Sequence, residues 1–225
     1  DAFQRLSAFC ADIAHELRTP LSNLLTHTQV TLTRPRELEE YREALHSNLE
    51  ELQWMAQLVN DMLYLAKADH GLLMPNRQPL VLEDEADALL EYYAPLAEEA
   101  GVALHREGQA SLEGDRHMLR RALSNLLDNA LRFTPSAGEI RVDIKVRDNT
   151  ISLQVANTGE PINAAMLPRL FDRFYRADPA RREGSTEHAG LGLAITRSIV
   201  QAHGGTIRAE SAAGWTRFVI DLPIS

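Results

Sequence analysis

Residues 11–24 read ADIAHELRTPLSNL, with a histidine and a glutamate side by side and a proline four residues after the glutamate. On a helix, positions 11, 12, 15, 18, 19 and 22 share one face, and here they are Ala, Asp, His, Arg, Thr and Ser. His15 is therefore expected to point outward, away from the apolar stripe through Ile13, Leu17 and Leu24. Pro20 removes the amide hydrogen that would bond the carbonyl of Glu16, and its ring crowds that carbonyl, so a bend is expected beside the histidine. A local conflict of this kind is what a functional site tolerates.

Three chemistries compete for His15. A zinc-protease helix needs a second histidine four residues on, and that position is Thr19, so the ligand set is missing. A solvated surface histidine needs no further feature. A nucleophile needs one ring nitrogen free to attack phosphorus and a carboxylate to hold the proton on the other, which Glu16 can supply. Thr19, one turn on, can hold a water near a phosphorylated His15 for the reverse discharge. The stretch alone leaves the last two open, and the nucleophile demands a phosphoryl donor elsewhere in the chain.

Outward from this stretch, residues 3–33 and 37–69 each read as a long helix, broken by TRPRE at Pro35, which predicts a helical hairpin. In the second helix Leu38, Leu45, Leu52, Val59 and Ala66 recur every seven residues, flanked by Tyr41, Met55, Met62, Leu49 and Leu63. Phe3, Cys10, Leu17 and Leu24 repeat likewise in the first, joined by Leu6 and Ile13. These are coiled-coil seams, with Cys10 and the methionines as core packing. Two helices cannot bury stripes this wide, so the expectation is a dimeric four-helix bundle.

The pattern stops at ADHGLLMPNRQP, where Gly71 can cap the helix and Pro75 and Pro79 prevent its continuation, so a boundary at about 70–80 is expected, dividing 1–71 from 72–225. Beyond it strands and helices mix: LVLE, a helix from about Glu83 to Ala100, VALHRE, and a helix opened by Asp115. EIRVDIKV and TISLQVAN follow, then a long irregular stretch, a helix from about Leu191 to His203, and the pair GTIRAES and TRFVIDLP. The expected fold is an α+β layer sandwich.

Composition bounds what these units can meet. The 225 residues are 44% hydrophobic, enough for real cores, and a net charge of −9 offers no global attraction to nucleic acid or anionic lipid. A single cysteine cannot form an intramolecular disulfide, and cytosolic exposure is expected. No apolar run approaches the roughly 20 residues that span a bilayer, and the first residues, lacking a basic and an apolar region, are not expected to be a signal peptide. Because an amphipathic pattern is already running at Phe3 and Leu6, a fragment of something longer is expected.

A phosphoryl donor site is legible in the second half. RRALSNLLDNALRFTP, residues 120–135, sets Asn125, Asn129 and Arg132 on one helical face and Leu119, Leu123, Leu126, Leu127 and Ala130 on the other. Carboxamide oxygen suits Mg²⁺ already bound to phosphates, and a guanidinium neutralises phosphate charge. HAGLGLAI, residues 188–195, carries a Gly-x-Gly turn into a helix, where exposed amides can receive phosphate oxygens. RREGSTEHAG before it has the composition of a lid, and LFDRFYRAD places Phe171 and Phe174 either as lid anchors or as plain core. In QVANTGEPIN, Asn157 ends a strand and can accept a hydrogen bond from an adenine amino group, and the chain turns at Gly159.

In this order the motifs resemble the cytoplasmic core of a sensor histidine kinase across essentially the whole chain. AHELRTPL resembles the H-box, NLLDNALRFTP the N-box, LFDRFYRAD the F-box and GLGLAI the G2 box. The H-box separates the chain from the gyrase, Hsp90 and MutL relatives that share the nucleotide fold. FCADIAHELRTPLSNLLTHTQVTL with VANTGEPI is most similar to heavy-metal (copper or silver) sensor kinases, with any metal sensing assigned to an absent periplasmic domain.

The resemblance implies an Hsp90-like ATP-binding domain, autophosphorylation of His15 assisted by Glu16, and transfer to an aspartate of a response-regulator receiver domain, with Thr19 serving phosphatase action. It implies ATP and Mg²⁺ as cofactors, with Asn129 on the metal. Asn125, Arg132, Phe133, Asn157, Gly159, Gly190, Gly192 and Leu193 are implied around the nucleotide. It implies a homodimer in the cytoplasmic portion of an inner-membrane sensor, touching the membrane only through segments absent from this chain.

Four departures bear on the site: Asn157 replaces the family's adenine-binding aspartate, Pro161 and His188 replace glycines, and Trp215 stands at another glycine position. Losing the charge on residue 157 weakens its hydrogen bond by about 1 kcal/mol. Two alternatives follow, an ATP-binding-deficient scaffold or phosphatase dimer, and a free-standing gyrase-type ATPase that leaves the HELRTP kink unexplained.

Overall fold

The computed structural model of the chain describes residues 2–175 and 190–224, with the backbone alone described for residues 2–10 and 12. The expected lid, with His188, lies outside the described residues apart from Gly190, as does the end of LFDRFYRAD. Two compact units divide the chain, one of residues 2–63 and one of residues 64–175 and 190–224.

Helix α1 spans Ala2–Leu32 and α2 Leu38–Asp69, each within a residue of the expected ends, and α1 runs unbroken through Pro20. Arg36 closes the turn between them: its guanidinium donates to the carbonyls of Val30 and Thr31, which have no intrahelical partner, and to the Glu40 carboxylate. Glu40 also accepts from the Glu37 amide, capping α2. At mid-length Asn48 of α2 bonds both His27 and Thr28 of α1.

Two apolar stripes run along α2. Tyr41, Ala44, Met55, Leu58 and Met62 are partly or fully covered, whereas Leu38, Leu45, Leu52 and Val59 are exposed, at 74%, 67%, 53% and 42%. The heptad Leu38, Leu45, Leu52 and Val59 is thus open in a single chain, together with Leu49 and Leu63 of its expected flank, whereas Tyr41, Met55 and Met62 of that flank are covered. A seven-residue repeat fits both stripes equally, so periodicity gives their existence and not their direction.

The second unit is a layer sandwich. A short ladder pairs β1 (Gln78–Val81) with β3 (Ser111–Gly114). The main sheet has the order β2 (Ala103–Glu107), β4 (Glu139–Arg147), β5 (Thr150–Thr158), β7 (Trp215–Pro223), β6 (Thr206–Ala212), with β2 parallel to β4 and the rest antiparallel. Helices α3 (Leu82–Ala100), α4 (Arg116–Phe133) and α5 (Gly192–Ala202) complete it. Ile140, Val142 and Ile144 of β4 and Ile151, Leu153 and Val155 of β5 alternate into the core, where they are at most 4% exposed, as one covered sheet face requires.

The β1 ladder departs from expectation. The strand is QPLV rather than LVLE, and α3 takes Leu82 because its amide bonds Ala110 while Glu83 accepts the Ala110 amide. Glu83, Asp84 and Glu85 in the first turn of α3 suit its positive end. Strand β3 went unread because four residues with one leucine show no alternation. Gly71 ends α2 as expected, its left-handed turn returning Leu72 to the Lys67 carbonyl.

Candidate functional site

Helix α4 builds the candidate site in the second unit. Asp115 caps it by accepting from the Met118 amide, and a second oxygen accepts from Asn76. Burial pushes the Asp115 carboxyl up, but the backbone amides of Met118, Asn76 and His117 outweigh it and hold the pKa below the ordinary value. Leu119, Leu123, Leu126, Leu127 and Ala130 are buried as the sequence implied, leaving Asn125, Asn129 and Arg132 half-covered on the other side.

The three polar residues differ in employment. Asn125 donates its amide to the Gly192 carbonyl at 3.0 Å and to Thr196 Oγ1 at 3.3 Å, so it ties α4 to the start of α5. Asn129 makes no hydrogen bond with any described residue, which leaves its carboxamide oxygen for a hard cation. The Arg132 guanidinium lies 5.4 Å over the Phe133 ring, which is 42% exposed.

Two chain segments close on the end of α4. Gly159 passes so near that an added Cβ would sit 2.9 Å from the Phe133 carbonyl oxygen. Its neighbour Asn157 is 3% exposed, and its Nδ2 donates to the Thr158 carbonyl, so Oδ1 is the group left to accept. Directly across the β5–β7 ladder from Asn157 stands Thr216, 6% exposed, a residue the sequence reading missed because cross-strand register is not periodic.

The Gly190 turn enters α5 from the other side. Gly190 takes a φ of +70° and accepts the Phe174 amide, and an added Cβ would lie 3.1 Å from the Phe174 backbone. Gly192 and Leu193 form the first turn of α5, whose leading amides have no intrahelical partner. Phe171 is core, packed edge-to-face on Phe218 at 6.2 Å, and Phe174 is half-covered. All the nucleotide residues named from the sequence lie in the second unit, where Asn125 bonds Gly192 and Gly159 packs against the Phe133 carbonyl.

In the first unit, His15 and Thr19 are exposed with Ala11, Arg18 and Ser22, the face expected of them, while Glu16 is half-covered and Pro20 buried. No hydrogen bond joins Glu16 to the imidazole among the described residues, since adjacent helical residues do not face each other. His15 stands exposed, where a phosphoryl group can approach from solvent.

Comparison with known proteins matches two families along the chain. The family of histidine kinase-, DNA gyrase B- and HSP90-like ATPases matches residues 114–225, and the His Kinase A (phospho-acceptor) domain matches residues 5–71. Sensor histidine kinase CusS of Escherichia coli strain K12 is 50% identical over 224 residues, 99% of this chain and 46% of that protein. Sensor protein CopS of Pseudomonas syringae pv. tomato is 50% identical over 190 residues, 84% of this chain and 39% of its own length. The chain therefore spans about half the length of the curated relatives it matches.

Among solved structures, Acinetobacter baumannii histidine kinase AdeS superposes with a TM-score of 0.77 at 21% identity, covering 94% of this chain and 98% of that one. Histidine kinase ThkA in complex with response regulator TrrA gives 0.79 at 20% identity, over 99% and 64%. An exposed histidine on a phospho-acceptor hairpin and a nucleotide-type sandwich thus occur in one chain, in the order these matches require, and the chain belongs to the sensor histidine kinases.

Proposed function

We propose that this chain is the catalytic core of a protein-histidine kinase that moves the γ-phosphoryl group of ATP to His15 and then to an aspartate of a response-regulator receiver domain. A ring nitrogen of His15 attacks phosphorus, the bond to the ADP oxygen breaks, and the proton on the other nitrogen passes to Glu16 once its side chain has turned toward the ring. Residues 1–71 form the dimerisation and phosphotransfer domain and residues 72–225 the ATP-binding domain. Catalysis is positioning and charge neutralisation, since phosphoryl transfer asks little else of the protein.

Asn129 holds Mg²⁺, Arg132 and the amides near Gly190, Gly192 and Leu193 hold phosphates, and Asn157 Oδ1 with Thr216 reads the adenine edge beside Gly159 and Phe133. Asn125 positions the Gly192 turn. The observation that carries the reading is Asn129, a carboxamide without a described partner on the same α4 face as Asn125, which pins the α5 turn. Asn157 retains an acceptor and the Gly192 turn is anchored, so no feature of the site favours the ATP-deficient scaffold.

The exposed Leu38, Leu45, Leu52 and Val59 stripe supports a homodimer. An open groove of about 410 Å³ lined by His27, Thr31, Arg36, Glu40 and Glu43 supports regulator docking on the lower hairpin. Thr19 orients water for dephosphorylation of the partner. No described helix is long and apolar enough to cross a membrane, and we assign membrane attachment and heavy-metal sensing to segments outside this chain. With labelled ATP, His15→Gln abolishes acid-labile phosphorylation while nucleotide binding persists; label retained on the mutant overturns the assignment.

A further inference from the structure

Asn129 has no hydrogen bond to a described residue, so its place is set by α4 itself, and most of that helix's anchoring is apolar. Leu119, Ala122, Leu123, Leu126, Leu127 and Ala130 give it a large buried surface, but apolar contact is non-directional and resists rotation or axial slide only through shape. The Asp115 cap and the Glu85–Arg116 ion pair direct the start of the helix, and two further polar contacts fall on the turn that carries the asparagines. On the α5 side, Asn125 is bonded to Gly192 and Thr196. On the α3 side, Tyr93 is the counterpart.

Tyr93 is 5% exposed, and its hydroxyl reaches across to α4. It donates to Asp128 Oδ1 at 2.5 Å and shares a second hydrogen bond with Ser124 Oγ at 2.9 Å. Ser124 and Asp128 are four residues apart, so one hydroxyl spans a full turn of α4. Each sits immediately before one of the asparagines, Ser124 before Asn125 and Asp128 before Asn129. A hydrogen bond to a carboxylate is the stronger, geometrically demanding kind. Burial first, then the Asp128 bond, pushes the phenol well above its ordinary pKa, so the proton that makes the bond stays in place.

We propose that Tyr93 is a positioning residue for the kinase reaction: it pins the α4 turn through Ser124 and Asp128 and thereby sets the placement of Asn129 toward Mg²⁺ and the nucleotide phosphates. The proposal rests on the nucleotide reading given above. It adds a residue remote from every signature motif, on a helix without a motif of its own. The hydroxyl matters through Asp128, so the tyrosine itself touches neither metal nor nucleotide.

The separation of metal from base gives the test. Mg²⁺ with ATP, and adenosine with EDTA, are titrated by calorimetry against the wild-type chain and against Tyr93→Phe, with thermal melts of each. The expected result is a Mg²⁺·ATP affinity about tenfold weaker in Tyr93→Phe, with adenosine affinity within twofold, because Asn157 and Thr216 lie on strands the tyrosine does not reach. Asp128→Asn keeps an acceptor for the hydroxyl and retains most of the wild-type affinity, whereas Asp128→Ala weakens Mg²⁺·ATP as Tyr93→Phe does, and the two combined add nothing to either alone. Equal weakening of both ligands, or no change in either, overturns the proposal. Should Tyr93→Phe fail to fold, Asp128→Ala carries the same comparison from the α4 side. A wild-type chain that gains nothing from Mg²⁺ sinks the nucleotide reading instead, a distinct outcome from a wild type that responds and a mutant that matches it.

Discussion

The hairpin and the nucleotide unit spend the same apolar residue types in opposite ways. In the sandwich, Phe218, Ile220 and Leu222 of β7 are at most 1% exposed, closed off within one chain. In the hairpin, Leu38, Leu45, Leu49, Leu52, Val59 and Leu63 are all more than 40% exposed. A sheet covered by three helices completes its own core, whereas a pair of helices covers one stripe and leaves the next. One unit is finished alone and the other calls for a second copy, and the functional groups follow suit. His15 rides on an outer face open to partners, while Asn125 is bonded to Gly192 and Thr196 and Asn157 is buried.

Breaking the open stripe should give the largest effect. Leu45→Glu with Leu52→Glu places four charges per dimer where leucines meet, each costing about 2–3 kcal/mol or more. The dimer dissociation constant should rise by at least about three orders of magnitude. Light scattering reads the association and calorimetric melting reads the sandwich, whose transition should not move. A dimer that survives the double substitution would mean that the stripe faces solvent in the assembly as well.

The converse substitution strikes the sandwich and spares the hairpin. Gly108 takes a φ of +83°, and an added Cβ would lie 1.8 Å from the Ile144 carbonyl oxygen, a backbone atom that cannot swing aside. Gly108→Ala should therefore cost about 4 kcal/mol, lowering the melting temperature of that unit by about 10 °C. Dimerisation read by light scattering should be unchanged at temperatures below the transition. An unshifted melt would show that the β2 exit relaxes freely.

The contrast also explains what sequence could and could not disclose. Hairpin ends were legible because Pro35 and Gly71 interrupt long periodic runs, and β4, β5 and β7 because their alternation spans up to nine residues. Motifs placed the asparagines and the Gly190 turn on the right elements. The stripe that faces inward was not legible, because a repeat has no direction until a partner helix is placed. Nor were relations made by tertiary pairing: Thr216 opposite Asn157, the amide of Asn125 committed to Gly192, and Tyr93 reaching Asp128. Each depends on which elements meet, a fact outside any local window.

The smallest effect expected is a pH response confined to the sandwich. His203, just after α5, is 3% exposed; its Nδ1–H donates to the Ile199 carbonyl at 2.8 Å, and its Nε2 accepts the Asp115 amide at 3.0 Å. The Nε2 bond requires the neutral ring, and protonating Nε2 would set two N–H groups against each other. Burial lowers the pKa most, with Arg77 adding to it, against the Ile199 bond and the Asp115 charge, which raise it. The unfolded chain protonates this imidazole near pH 6.5 while the folded one still holds it neutral, so unfolding takes up a proton. Stability contributed by the neutral ring is full above about pH 6.5 and declines as pH falls toward the lower folded value. Asp115, whose folded pKa is also lowered, adds its own acid loss only below the ordinary carboxylate range, which separates the two windows. Urea unfolding of the sandwich between pH 7 and 5 should show the decline, and His203→Gln should start about 1–2 kcal/mol less stable yet lose less over that interval. The hairpin, with His15, His27 and His46 all exposed, should show no matching drop in helix content; equal slopes in wild type and His203→Gln would assign the acid sensitivity to another group.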